Sequence, residues 1–198
     1  MKRTMALMFT LLMMSSVVPL FAGGGTQKSG GVIVANGGIF IMQGGTVSNN
    51  SGLDGGVVVV GGTFTMESGI ISGNTGNGGG VVVDSGTFTM NGGRISGNAT
   101  SQYGGGVVVG NGTFIMRGGL ITGGNNAKDN GGGVYVYGSG IFTKTGGTIS
   151  GNDVVFGERN TTSGQGHAVY WQSSPARWRN ATAGPDDNTE GYGFWLND

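Results

Sequence analysis

An internal repeat constrains this chain more than any other feature. Aligned on the phrase Gly-Gly-Val, the valines fall at Val32, Val57, Val81, Val107 and Val134, and the same alignment puts Phe40, Phe64, Phe88, Phe114 and Phe142 in a second column. A third column follows at Val47, Ile71, Ile95, Ile121 and Ile149. The second and third columns stand seven residues apart in every repeat and the first and second seven or eight; only the return to the next repeat varies, from 10 to 13 residues. A period of 24 to 28 residues made of three apolar phrases is that of a solenoid, in which each turn buries its apolar face by stacking on its neighbours.

The alternation inside each phrase selects strands. In Thr63-Phe64-Thr65-Met66 and Thr87-Phe88-Thr89-Met90 the large apolar residues lie two apart with threonine between, the period of a strand with one buried face, whereas a helical stripe needs steps of three and four. Glycine brackets every phrase, two residues before each phenylalanine and again before the third column, where corners call for positive φ. Stacking places equivalent residues about 4.8 Å apart. The expectation is an all-β parallel β-helix with about five three-stranded turns, its core built from ladders of valine, phenylalanine, Met42/Met66/Met90/Met116 and the third column. Asn50, Asn74, Asn98 and Asn152 follow the third column by three residues, where stacked asparagines can bond one another or cap the corner backbone.

Composition removes other classes. Glycine supplies 47 of 198 residues, but without a Gly-X-Y period and with only 3 prolines the chain is not collagen. Hydrophobic residues at 36% and zero formal net charge oppose a solvated disordered chain and give no electrostatic reason to expect nucleic acid or an anionic membrane as partner. No cysteine is present, hence no disulfide framework and no thiolate metal site.

Residues 1–22 read as a secretory signal peptide: Lys2 and Arg3 begin it, Ala6 to Met14 form an apolar run, and Ala22 precedes Gly23-Gly24-Gly25. Ser15, Ser16 and Pro19 interrupt the run too early for a membrane span. The mature chain then carries 8 basic and 10 acidic side chains and is expected to be secreted or held at the cell surface, with no membrane span after cleavage. Residues 23–166 are the β-helix repeats with a long final corner, and 167–198 a last partial turn and C-terminal cap. All three tryptophans, Trp171, Trp178 and Trp195, lie in that last segment, as a cap over the open solenoid end or, alternatively, as a carbohydrate-stacking platform. Lys144 stands where earlier repeats have methionine, which places the fifth turn near the end of the dry core.

The phrases Gly-Gly-Val-Val-Val, Gly-Thr-Phe-Thr-Met and Gly-Gly-x-Ile-Ser-Gly-Asn resemble the repeats of secreted bacterial right-handed β-helix proteins, abundant in spirochaetes and related to the pectate-lyase-like fold. The segment from Gly166-His167-Ala168-Val169-Tyr170 to Gly184-Pro185 is similar to the closing segment of those proteins. The resemblance implies a right-handed coil and a surface or secreted location, and it brings no active site. Polysaccharide lyases and hydrolases of this fold use clustered carboxylates, often with calcium, and a basic residue on adjacent turns.

No such cluster is legible here. Asp84 has Ala35, Val60, Gly110 and Tyr137 at its equivalent positions, Arg94 and Arg117 occupy different points of their repeats, and Asp54, Asp129 and Asp153 are single acids in the variable corner. His167 is the only histidine, with Glu158 its nearest acid. Calcium wants six to eight oxygens, roughly. No catalytic, cofactor-binding or metal-binding residue is assigned, and the expected function is a non-enzymatic, adhesin-like scaffold for a surface protein or glycan. The alternatives are a polysaccharide-binding or polysaccharide-cleaving β-helix and, from the outward pairs Thr63/Thr65 and Thr87/Thr89, an ice-binding array, although isoleucines interrupt it. The variable corner lengthens along the chain, and in solenoids such insertions collect on one edge, often the binding edge. One further surface follows from strand alternation. If Val57 and Val59 point inward, then Ile33, Val58, Val82, Val108 and Tyr135 form an outward apolar column, of the kind that marks a contact surface or self-association.

Overall fold

A computed structural model describes residues 30–151 and 158–172. The expected signal peptide, Asn152, Asp153 and the tail from residue 173 lie outside the described residues. Within them the chain is all-β and winds about five turns of a parallel β-solenoid. The register is the one the repeats dictate: Val57 pairs Val81, Val81 pairs Val107 and Val107 pairs Val134, while Phe40, Phe64, Phe88, Phe114 and Phe142 align turn by turn. The strand Val169–Trp171 pairs Val134–Val136 and starts a sixth turn.

The core holds the expected ladders. Phe64, Phe88 and Phe114 are fully buried, and the ring centroids of Phe64, Phe88 and Phe114 are 4.8 Å apart with nearly parallel planes. That distance is the strand spacing itself, so backbone pairing sets the aromatic stack. Each methionine ends under the next turn: a Cβ at Gly93 would stand 2.6 Å from Met66 Cε, and one at Gly119 would stand 2.5 Å from Met90 Cε. These same glycines turn the corner at φ +84°, so the position excludes a side chain twice. Lys144 continues the methionine column opposite Met116 and is 9% exposed.

The sheets divide differently from three equal phrases. In the second and third turns the first two phrases run on as single strands, Gly55–Met66 and Val81–Met90, and in every turn they belong to one nine-stranded sheet. The third phrase forms a second sheet of five strands, and a third sheet of two-residue strands, Thr75–Gly76, Ala99–Thr100, Asn126–Ala127 and Thr161–Thr162, lies inside the variable corner. The glycines before the phenylalanines also serve another purpose than turning. Of Gly38, Gly62, Gly86, Gly112 and Gly140, only Gly86 has positive φ. Most of the others are pressed on by stacked turns, a Cβ at Gly112 standing 2.6 Å from Val83 Cγ1 and one at Gly140 standing 2.6 Å from Gly110 O.

Among the described residues the asparagines form a row, buried from Asn74 onward: Asn50, Asn74, Asn98, Asn125 and Asn160. From Asn50 to Asn125 each carboxamide donates to the next, Asn74 Nδ2 to Asn98 Oδ1 at 2.9 Å and Asn98 Nδ2 to Asn125 Oδ1 at 3.0 Å, and from Asn74 to Asn160 each also donates to a third-column carbonyl, as Asn98 Nδ2 does to Ile71 O at 3.0 Å. The row reaches Asn125 because Gly123 and Gly124, both at positive φ, absorb one extra residue. It reaches Asn160 because the chain returns at Glu158 and Arg159, whose carbonyls accept from the Gly123 and Gly124 amides.

Candidate functional site

The column Ile33, Val58, Val82, Val108 and Tyr135 is in register on the outer face of the first phrase. It stands outside the main core, as alternation requires, but it is not an open stripe. Val58 is 0%, Val82 8%, Val108 7% and Tyr135 2% exposed. The corner segment folds back across it, backbone foremost: a Cβ at Gly78 would stand 2.2 Å from Val82 Cγ2, and one at Gly104 would stand 2.3 Å from Val108 Cγ2. Only glycine lets the corner lie so close. Val58, Val82, Val108 and Tyr135 are therefore a second, smaller apolar cluster, with the half-buried Ile33 at its end and Val60, Tyr103, Tyr137 and Tyr170 packed against it.

What reaches solvent is the rim of that cluster. A cleft of about 390 Å³ opens there, floored by Val82, Val108 and Tyr135 and walled by Asn77, Gly78, Gln102 and Tyr103 from successive corners, with Tyr137 also lining it and Asp54 and Gln172 contributed by the second-turn approach and the sixth turn. Tyr103 stacks on Tyr135 at 4.5 Å between centroids, and Tyr170 stacks on its other neighbour side at 5.7 Å. Tyr137 lies over Gly110, where a Cβ would stand 2.9 Å from its hydroxyl oxygen. The Tyr135 hydroxyl donates to Gln172 Oε1. Burial, then the phenols of Tyr103, Tyr170 and Tyr137 and the Asp129 carboxylate, hold the Tyr135 phenol well above its ordinary pKa. It is a neutral hydrogen-bond donor across the physiological range.

Four of the chain's five tyrosines meet in this cluster, so tyrosine position was the sequence signal for the site. Alternation identified Tyr135 alone. Tyr103, Asn77, Gln102 and Gln172 were missed as lining residues because they come from the irregular corner or from the start of the sixth turn, whereas Tyr137, two residues beyond Tyr135, is on the outer face by the same alternation and was missed although the signal was there.

The residues weighed for catalysis do not converge. Arg94 leaves the third-phrase sheet and pairs with Glu158 at 2.9 Å, on a different sheet from Asp84. Glu158 also accepts from the Thr122 hydroxyl at 3.1 Å. Among the described residues no three histidine, aspartate or glutamate side chains come together as a metal site. His167 Nδ1 is buried without a hydrogen-bond partner there. On the outer face of the second phrase, the register joins Ile39, Thr63, Thr87, Thr113 and Ile141 in one column and Ile41, Thr65, Thr89, Ile115 and Thr143 in the next, so isoleucines confine the first threonine row to three turns and interrupt the second. No protein-family profile matches the chain, and searches of curated proteins and of solved structures likewise return no match.

Proposed function

We propose that this chain is a non-enzymatic β-solenoid scaffold of the cell exterior, secreted or surface-held after removal of residues 1–22, which works by binding through the tyrosine-rimmed cleft. The repeat phrases carry the likeness to secreted, pectate-lyase-like bacterial β-helix proteins, and the reading takes its location from them. The observation that carries the binding role is the composition of the cleft: ten lining residues, of which three are tyrosine and three carry carboxamides, with Asp54 the single carboxylate. A mixed aromatic and amide wall over an apolar floor is suited to holding a ligand, whereas acid–base chemistry needs paired titratable groups.

The test has two arms. N-terminal analysis of the exported protein is expected to find a chain beginning at Gly23, and incubation with pectin or alginate is expected to yield no cleavage. Immobilised panels of glycans and surface proteins are expected to retain the protein, and Tyr103→Ala with Gln102→Ala to release it while the solenoid stays folded by circular dichroism. Retention that ignores the cleft variant defeats the binding reading, and cleavage lost on Asp84→Ala or Arg94→Ala defeats the non-enzymatic one.

A further inference from the structure

We infer that the cleft takes a neutral oligosaccharide chain laid along the solenoid axis; this rests on the binding reading above and specifies its ligand. Charge narrows the class first. Among the described residues Asp54 lines the cleft and no lysine, arginine or histidine does, so a uronate, sulfate or phosphate group finds no counter-charge among them. A neutral ligand needs none.

Hydrogen-bonding capacity narrows it further. A hydroxyl both donates and accepts, and a carboxamide side chain answers both needs. Asn77, Gln102 and Gln172 are all exposed. Asn77 Oδ1 accepts from the Ser101 hydroxyl at 3.1 Å and Gln172 Oε1 accepts from Tyr135, which orients both groups while their amide hydrogens take no partner among the described residues. The Gln102 carboxamide is unengaged there as well. Aromatic faces complete the match. Tyr103 and Tyr137 are half-buried at the rim, and the C–H faces of a pyranose, slightly positive, lie favourably on the negative face of an aromatic ring. A proline-rich peptide would also use tyrosine faces, and its carbonyls would accept from the free amide hydrogens, but it has few donors for the Gln102 oxygen, which a sugar hydroxyl answers together with the amide hydrogens.

The axial direction follows from where the wall residues come from. Asn77 closes the second turn, Gln102 and Tyr103 close the third, Val108 floors the fourth, Tyr137 belongs to the fifth and Gln172 to the sixth. A ligand built of repeating units meets wall groups from four of these five successive turns.

The experiment is calorimetric titration of the full chain with cellohexaose, hexa-N-acetylchitohexaose, oligogalacturonate and a proline decapeptide, with amide chemical shifts followed in parallel. At least one neutral hexasaccharide is expected to bind, more tightly than its disaccharide, with shifts concentrated at residues 77, 102–103, 137 and 172. Gln102→Ala, a change at an exposed side chain, is expected to weaken it about tenfold, and Thr63→Ala on the second-phrase face to leave it unchanged. Tighter binding of oligogalacturonate or of the peptide overturns the ligand class while leaving the cleft as a binding site. Binding of neutral sugar that is insensitive to both Gln102→Ala and Tyr103→Ala, or no binding by any neutral hexasaccharide, overturns the inference itself.

Discussion

Asn98 is fully buried and uses both ends of its carboxamide: Oδ1 accepts from the Asn74 backbone N–H at 3.0 Å and from Asn74 Nδ2, while Nδ2 serves Ile71 O and Asn125 Oδ1. Removing it strands groups on both neighbouring turns. At about 1–3 kcal/mol for each orphaned buried group, Asn98→Ala is expected to cost about 3 kcal/mol or more in urea denaturation. Asn98→Asp keeps the shape but replaces the donor with a second acceptor facing Ile71 O and Asn125 Oδ1, so its carboxyl pKa rises on folding. The unfolded chain then releases its proton first. The added penalty appears as pH climbs past the ordinary aspartate value of about 3.9 and fades in acid. A pH-independent deficit for Asn98→Asp would show that the row does not require the donor. Tyr135 gives the corresponding effect in base. Its phenol keeps its proton in the folded state above the pH at which the unfolded chain gives its own up, so stability present below about pH 10 declines as pH rises beyond it. Tyr135→Phe is expected to lose that alkaline decline, seen as a shallower fall of melting temperature with pH.

A strand here is short, and its facing decides what each residue is worth. Phe88 has ring neighbours at 4.8 Å on both sides, and neither can move in without leaving its own strand register. Phe88→Ala is therefore expected to cost about 3–5 kcal/mol, while Thr87→Ala, on the outer face of the same strand, is expected to stay within about 0.5 kcal/mol. Comparable losses at the two positions would refute the inward register. Alternation exposed these strands to sequence reading because Phe-Thr-Met repeats the period of the pleat. The two-residue strands such as Ala99–Thr100 left no such trace. Backbone hydrogen bonds hold them, for example Ala99 N to Asn74 O at 2.9 Å, and backbone pairing has no hydropathy pattern. The asparagine row gained members for a related reason: spacing pointed to Asn152, which lies outside the described residues, while Gly123-Gly124 and the return at Glu158 bring Asn125 and Asn160 into the row.

Taken together, the turns make a solenoid whose contacts are almost all between neighbours, and the repeat that made the fold legible made the site hard to read. The cleft arises where repeats differ, at Tyr103, Tyr137 and Gln172, and from a cover made of glycine backbone at Gly78 and Gly104, which no side-chain pattern announces. The Val58 column illustrates the limit: alternation set its direction correctly, and only the path of the corner determined that it is covered.

The asparagine row also gives the molecule a polarity. Every carboxamide points the same way, nitrogen toward the next turn's oxygen, so the dipoles add head to tail and polarise one another. At Asn50 the series begins with an oxygen to which nothing donates among the described residues. At Asn160 it ends with both amide hydrogens given to Ile121 O and Ser150 O, each at 2.8 Å. Within the described residues the series is a vector that runs from Asn50 to Asn160, and its tip is handed to two backbone carbonyls.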